Sequence, residues 1–370
     1  MNIQNIRISF ENHPLVNPFK IGDKPAITDI TRLVVTVVID GIVGIGQSTL
    51  ANIWADEDLE RMKTYALVLQ ERVRETRGKN PLEVYNAMMP TILADSGINN
   101  VAKLICYAGF DLALLDAFGK KHGRHPCQIM GTYEKYKGLF LPAPRKQVYV
   151  EYTLGGVSPL LGNNGLLANK LRHGYRVVKV KCIGDLEKDF KQAMAVYAAT
   201  GCRLWLDFNG AGNLVVVKQL CDALRTSLHQ DVLLAVEQPF PTMATFDDLK
   251  VTDIYPQAPF FLDESAVLPE DVLAAKNLGY SGIVVKADKG GLSHVAEMAR
   301  VARDCGMLIS VQDLTSWPWA SLGIAAHLVN LEQKVVELNQ GQFLVDPIPV
   351  DIRNGIVDTS RLKGPGFYPK

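Results

Sequence analysis

Lys179 and Lys181 stand two residues apart in the apolar run VVKVKCIGD, residues 177–185. Side chains at i and i+2 of a strand point to the same face, so two ammonium groups share one small space. A partly buried lysine beside another cation loses affinity for its proton and becomes a base near neutral pH. Farther along, Asp207, Glu237 and Asp263 end three more apolar runs and Lys286 ends a fourth. Three carboxylates brought together repel one another unless a cation joins them, and an all-oxygen donor set suits Mg²⁺ or Mn²⁺ better than zinc. Such a group of residues can remove a weakly acidic proton with a lysine while a hard cation stabilises the charge that develops. Two blander readings compete with this one: separate salt bridges for each carboxylate, and lysines that serve only as counter-ions.

These side chains need elements that carry them to one place. From about residue 147, the eight short apolar runs QVYVEYT, YRVVKVK, RLWLDFN, LLAVEQP, PFFLDES, GIVVKAD, MLISVQD and KVVELN alternate with longer amphipathic segments. Repeated βα units of this kind build a closed (β/α)8 barrel, here at the short end for that fold. From the second run onward each ends in a polar residue: Lys181, Asp207, Glu237, Asp263, Lys286, Gln312 or Asp313, and Glu337. One βα unit separates each from the next, which sets them all on the C-terminal rim, where this fold builds active sites. Upstream, residues 2–10 and 30–48 read as strands with a hairpin turn at Asp40-Gly41, and residues 57–75, 81–94 and 100–121 as helices. The expected architecture is α/β: an α+β capping domain over residues 1–125, a barrel over 126–345, and a segment 346–370 returning to the cap. An open doubly wound sheet is the alternative, and no glycine-rich dinucleotide fingerprint supports it.

At 370 residues the chain exceeds the usual size of a single core, in keeping with two domains. Lys+Arg and Asp+Glu both number 39, without blocks of one sign, which argues against a nucleic-acid or membrane surface and for a small-molecule partner. The start MNIQNIRISF lacks a basic segment leading into an apolar one, and no apolar run approaches the length of a membrane span, so a cytoplasmic protein is expected. A homo-oligomer is the expected assembly. Six cysteines without CxxC spacing predict buried free thiols, neither a disulfide framework nor a zinc site.

With KVK, DFN, EQP, DES and VVKADKGGL in this order, the sequence resembles the enolase superfamily, nearest to its muconate lactonizing enzyme subgroup. The likeness extends over most of the chain, through GIVGIGQS, YAGFDLALLDAFGKKHGRHPCQIMG and AAHLVNLEQKVVELN. It implies Mg²⁺ ligands at Asp207, Glu237 and Asp263, an acid/base at Lys181 on one face of the substrate, and a second at Lys286 on the other. It also implies that Lys179 assists the substrate carboxylate and depresses the pKa of its neighbour, and that Asn209 and Glu264 support the ligands from behind. The reaction implied is removal of a proton α to a carboxylate through an enediolate. A racemase or epimerase of a small carboxylic acid or amino-acid derivative is favoured. A dehydratase of the o-succinylbenzoate synthase or acid-sugar kind, or a cycloisomerase, is the alternative. Outside that class stand an aldolase with Lys181 or Lys286 as Schiff-base nucleophile and a barrel kept only for binding.

Some residues depart from that pattern. Gln47 stands where the family often has Glu, and MLISVQDLTSW offers no histidine at the end of the seventh barrel strand, which disfavours a His-Asp dyad. Members acting on dipeptides resemble one another in an Asp-x-Asp at the eighth strand; here Glu337-Leu338-Asn339 keeps one carboxylate, so amine recognition is weaker. Asp313 reads equally as a substrate contact and as a cap of the next segment. His327 reads as a core histidine, and Asp288 with Lys289 as a loop salt bridge, although Asp288 remains a substrate-site candidate. Residues 15–29 and 49–56 are expected lids, with Phe19, Lys20 and Trp54 selecting the substrate alongside Asp313, Glu337 and Asn339.

Overall fold

Leu33, Val35, Val37 and Ile39 alternate along one segment with less buried neighbours, and none of the four is more than 1% exposed. A period of two makes a sheet with one covered face. It is antiparallel, in the order β1 (Ile3–Phe19), β2 (Ile27–Ile39), β3 (Ile42–Thr49). Asp40 and Gly41, at φ 49° and 79°, form the tight turn predicted between the last two strands. This and all that follows is taken from a computed structural model that describes residues 1–19, 26–154, 165–229, 231–243, 250–254, 258–362 and 364–367. The first two strands are longer than the sequence reading, because pairing of β1 with β2 continues past His13 and Ile30.

Three helices follow: α1 (Leu59–Glu75), α2 (Pro81–Ala94) and α3 (Asn100–His122). Asp58, Asn80 and Asn99 cap them by accepting the N–H of Arg61, Glu83 and Ala102. α3 is buried along almost its whole length and packs against β3 on one side. Glycines at 44 and 46 permit that approach: a Cβ at Gly46 would lie 2.1 Å from the Gly109 carbonyl oxygen, and one at Gly44 2.2 Å from that of Ala113.

The second layer is a parallel barrel. β4 (Gln147–Leu154), β5 (Val177–Lys181), β6 (Arg203–Asp207), β7 (Leu233–Glu237), β8 (Phe260–Leu262), β9 (Gly282–Lys286), β10 (Leu308–Gln312) and β11 (Leu331–Glu337) pair in sequence order, and β11 closes the ring on β4. Closure removes the strand-order reversal that the doubly wound alternative needs. The longer helices between strands are α4 (Leu166–His173), α5 (Leu186–Thr200), α6 (Leu214–Ser227), α7 (Pro269–Asn277), α8 (Gly291–Asp304) and α9 (Pro318–His327). Val177, Trp205, Ala235, Phe261, Val284 and Val335 fill the barrel interior as a cluster separate from the main core. The barrel is a packed core with a polar upper end.

The C-terminal segment serves both layers. Its hairpin, β12 (Ile352–Arg353) and β13 (Ile356–Asp358), pairs antiparallel with the start of β4, a stretch that would otherwise be an open edge. Beyond it the Phe367 N–H donates to Asp116 of α3 at 2.8 Å. All six cysteines are free thiols, and only Cys305 is not fully buried. Among the described residues no helix is long and apolar enough to cross a membrane.

Candidate active site

Parallel pairing sets Lys181 beside Asp207 and Asp207 beside Glu237, at the C-terminal ends of β5, β6 and β7. Asp263 follows β8 directly, Lys286 ends β9 beside Gln312 of β10, and Glu337 ends β11. Because β5 and β9 are four strands apart in a ring of eight, Lys181 and Lys286 face each other across the barrel mouth. Asp207, Glu237 and Asp263 occupy one arc between them, and Glu337 the other.

Lys179 points the same way as Lys181 but sits one layer deeper and is fully buried. Its Nζ lies 3.1 Å from Glu237 and 3.3 Å from both Glu151 and Glu337. Burial opposes its charge, yet these carboxylates hold its pKa well above the ordinary lysine value. One ammonium cannot neutralise three carboxylates. Glu337, despite burial, is held low by Lys179, Lys286 and Lys181. Glu237 is pushed up to about 8 by burial, then by Asp207 and Asp263, and Glu151 is raised by burial. The structure thus places Lys179 beneath the mouth, where one ammonium is shared by three carboxylates.

At the rim Lys181 is ion-paired with Asp207, and Lys286 Nζ lies 2.9 Å from Asp263 Oδ2. Burial and Lys179 lower both lysines, but Asp207 at Lys181 and Asp263 at Lys286 raise them, and in these pairings both are left raised. Gln312 joins the two sides, accepting from Lys286 at 3.1 Å and donating to Glu237 Oε2 at 2.7 Å. The same Glu237 oxygen accepts the Trp205 indole N–H at 2.6 Å. Gln238 Oε1 accepts the backbone N–H groups of Asp263 and Ser265, fixing the β8 end. Asn209 and Glu264 are hydrogen-bonded beside these carboxylates, and Asn209 also lines the pocket. The Asn209 N–H donates to Asp207 Oδ1 at 2.9 Å, and its side-chain amide donates to Glu264 Oε1 at 2.8 Å.

A pocket of about 820 Å³, open mouth included, lies over these groups between cap and barrel. Phe19, Trp54, Asp313, Glu337 and Asn339 line it with Lys181 and Lys286, and Lys20 lies outside the described residues. Asp313 lines the pocket and also accepts the N–H of Thr315 at 3.2 Å and of Asn339 at 3.1 Å. Asp288 requires correction as a substrate contact and as half of a loop salt bridge. It is fully buried, does not line the pocket, and accepts the N–H of Thr49 at 3.0 Å and of Leu314 at 3.3 Å, because a buried carboxylate needs donors and the cap supplies one. Lys289 turns into the site instead, donating to the Asp263 carbonyl oxygen at 2.9 Å. Glu151 and Thr153 escaped the sequence reading, although they stand two apart in QVYVEYT as the lysines do in VVKVK. Thr153 donates to Glu337 at 2.6 Å.

The residues fit a hard divalent cation. Asp207, Glu237 and Asp263 are each no more than 1% exposed, and no imidazole or thiol is among them. Asp263 Oδ1 is buried and accepts no hydrogen bond among the described residues. Burial first, then Asp207 and Asp263, raise the proton affinity of Glu237 although Lys179 lies 3.1 Å away, so the carboxylates crowd one another at this end of the barrel. A second group of metal-type side chains, His125, Cys127 and His327, is different. Its ligand atoms lie within 4.8 Å of one another, and its two imidazoles stack at 4.6 Å with 13° between planes. Burial pushes both rings toward neutrality, and His327 is the packed core histidine foreseen.

A profile of the family described as enolase C-terminal domain-like matches residues 166–369, more than half of the chain. The L-Lys-D/L-Arg epimerase of Methylococcus capsulatus is 25% identical over 313 residues, 83% of this chain and 81% of that protein. Two solved structures share the fold at lower identity. A dipeptide epimerase from Enterococcus faecalis, complexed with Mg and L-Leu-L-Tyr, superposes with a TM-score of 0.80 at 20% identity, covering 99% of both chains. A muconate lactonizing enzyme from Pseudomonas fluorescens, complexed with muconolactone, superposes with a TM-score of 0.78 at 22% identity, over 99% of this chain and 95% of that one.

Proposed function

We propose that this chain, which belongs to the enolase C-terminal domain-like family, is a racemase or epimerase that inverts the carbon α to a carboxylate in an amino-acid derivative such as a dipeptide. The observation that carries this reading is the placement of Lys181 and Lys286 half a barrel apart, on either side of one pocket. Inversion needs a base on one face and an acid on the other. The sequence relative and the Enterococcus structure are both epimerases by name, which supports the choice over elimination or cycloisomerisation.

Asp207, Glu237 and Asp263 would hold Mg²⁺, which supplies Lewis-acid stabilisation to the charge developing on the substrate carboxylate. Asp207 and Asp263 are the largest raising neighbours of Lys181 and Lys286, so engaging those carboxylates elsewhere would shift both lysines toward the neutral amine that a base requires, in the direction that burial already favours. One amine then takes the α-proton, and the opposite ammonium delivers another to the far face. Glu337, held ionised by Lys179, offers a carboxylate to a substrate ammonium on the arc away from the metal ligands. From the cap, Phe19 and Trp54 line the pocket and would offer apolar surface to the substrate.

Incubation with dipeptides and N-acyl amino acids in D₂O with Mg²⁺, read by chiral chromatography and mass spectrometry, tests the reading. Deuterium should enter at the α-carbon with inversion. Lys181→Ala and Lys286→Ala should each abolish inversion, while each retains α-exchange with only the enantiomer that the other lysine serves. Loss of water, or inversion surviving in both variants, would overturn it.

A further inference from the structure

Trp54 sits in a short helical turn, Asn52–Ala55, just beyond β3 of the cap. Its indole N–H crosses the pocket to donate to Glu264 Oε1 at 2.9 Å. That oxygen also accepts the Asn209 side-chain amide at 2.8 Å, and the Asn209 backbone N–H donates to Asp207 Oδ1 at 2.9 Å. Asn209 holds a left-handed φ of 42°, a conformation that costs energy and that these two bonds repay by fixing both ends of the residue. Glu264 is joined through the main chain to Asp263. One hydrogen bond from the cap therefore reaches two of the three carboxylates that fit a cation.

The face of the same ring is also occupied. Its centre lies 5.3 Å from Lys286 Nζ and 5.4 Å from Lys289 Nζ, inside the range of cation–π attraction. Both ammonium groups hold Asp263, Lys286 through Oδ2 and Lys289 through the main-chain oxygen. The indole thus meets the Asp263 surroundings through its edge and its face at once. Other ties between cap and rim, the Thr49 N–H on Asp288 and the Arg32 guanidinium on the Thr315 carbonyl at 2.8 Å, touch none of these carboxylates.

We infer that Trp54 is a positioning residue that couples the seating of the cap segment 49–56 to cation binding by Asp207, Glu237 and Asp263, the indole N–H on Glu264 being the link. This rests on the metal assignment above and goes beyond it. Coupling of this kind is reciprocal: a cation that orders Asp207 and Asp263 firms Asn209 and Glu264 and so the seat of Trp54, and a seated Trp54 strengthens cation binding by the same factor. The arrangement makes the complete metal shell and the closed pocket a single state.

The test uses the full chain and Mg²⁺ without substrate, in calorimetric titration and in amide hydrogen exchange of residues 49–56. Trp54→Phe keeps an aromatic face near the lysines and removes the N–H together with the ring that carries it. It should weaken Mg²⁺ binding about tenfold, within the usual range for coupled sites. In the parent, Mg²⁺ should slow exchange across 49–56, and in Trp54→Phe that slowing should vanish while thermal unfolding without metal stays as in the parent. Glu237→Gln separates the two levels of inference, since it should lose Mg²⁺ binding whatever Trp54 does. If the parent binds Mg²⁺, Glu237→Gln does not, and Trp54→Phe matches the parent in affinity and in exchange, the coupling is refuted and the metal site stands. If parent and Glu237→Gln behave alike, the metal site falls and the coupling falls with it.

Discussion

Replacing Lys179 with Met removes the one ammonium that Glu151, Glu237 and Glu337 share, at 3.1–3.3 Å from each, in a place with no solvent. Breaking a buried ion pair by deleting one partner costs about 3–5 kcal/mol, because the remaining charge is left uncompensated. Against a typical folding stability of about 5–15 kcal/mol, that is a large share. The cost must also depend on pH, with a definite sign. Orphaned glutamates are raised above their unfolded value of roughly 4.3, in the direction Glu237 already takes in the parent at about 8. The folded variant then keeps protons that the unfolded chain has released, so its stability falls as pH rises through that window and recovers toward pH 5. Urea unfolding of parent and variant without metal, at pH 5 and pH 8, measures this directly. The expected loss is about 3–5 kcal/mol at pH 8 and less than about 2 at pH 5. A double variant Lys179→Met/Glu151→Gln should recover part of the loss at pH 8. A deficit below about 1 kcal/mol at pH 8, or one that grows in acid, would show that Lys179 is not the counter-ion described.

Three further outcomes are expected. Asp111, fully buried with its pKa raised to about 7 by burial, should cost stability as pH rises from about 4 through 7, since the folded chain keeps its proton longer than the unfolded one; in Asp111→Asn this part of the pH dependence of Tm should disappear. Gly46→Ala drives a Cβ to within 2.1 Å of the Gly109 carbonyl and should lower stability by about 1–3 kcal/mol as α3 is pushed from the cap sheet, read as a fall in Tm. Mg²⁺ at a hundred times its dissociation constant should stabilise the parent by about 2.7 kcal/mol and leave Glu237→Gln unmoved, and EDTA should reverse the gain.

Much of the site was legible because a barrel repeats itself. Period-two alternation tells which side chains of a strand point inward, and the end of each apolar run tells which of these reach the rim, so Lys181, Asp207, Glu237, Asp263, Lys286 and Glu337 could be placed from residue order alone. The hairpin at Asp40-Gly41 was legible for a similar local reason, since φ above zero at both turn positions admits few residue types. Asp288 was misread because its partners come from elsewhere: Thr49, the donor that defines it, is 239 positions away in sequence.

The sequence by itself determined which residues share a face and which end of the barrel they occupy, since both follow from φ/ψ sterics and strand periodicity acting within a few residues. Only the tertiary structure decided their heights and partners. The stagger of the closed ring brings Glu151 level with Glu337, and the same level is reached by Lys179 from the neighbouring strand, so that one buried ammonium meets both carboxylates. Docking of the cap sends the Trp54 indole to Glu264, 210 residues away. Neither follows from local pattern, because stagger is a property of all eight strands closing together, and docking is fixed by the joint packing of two layers that no single segment encodes.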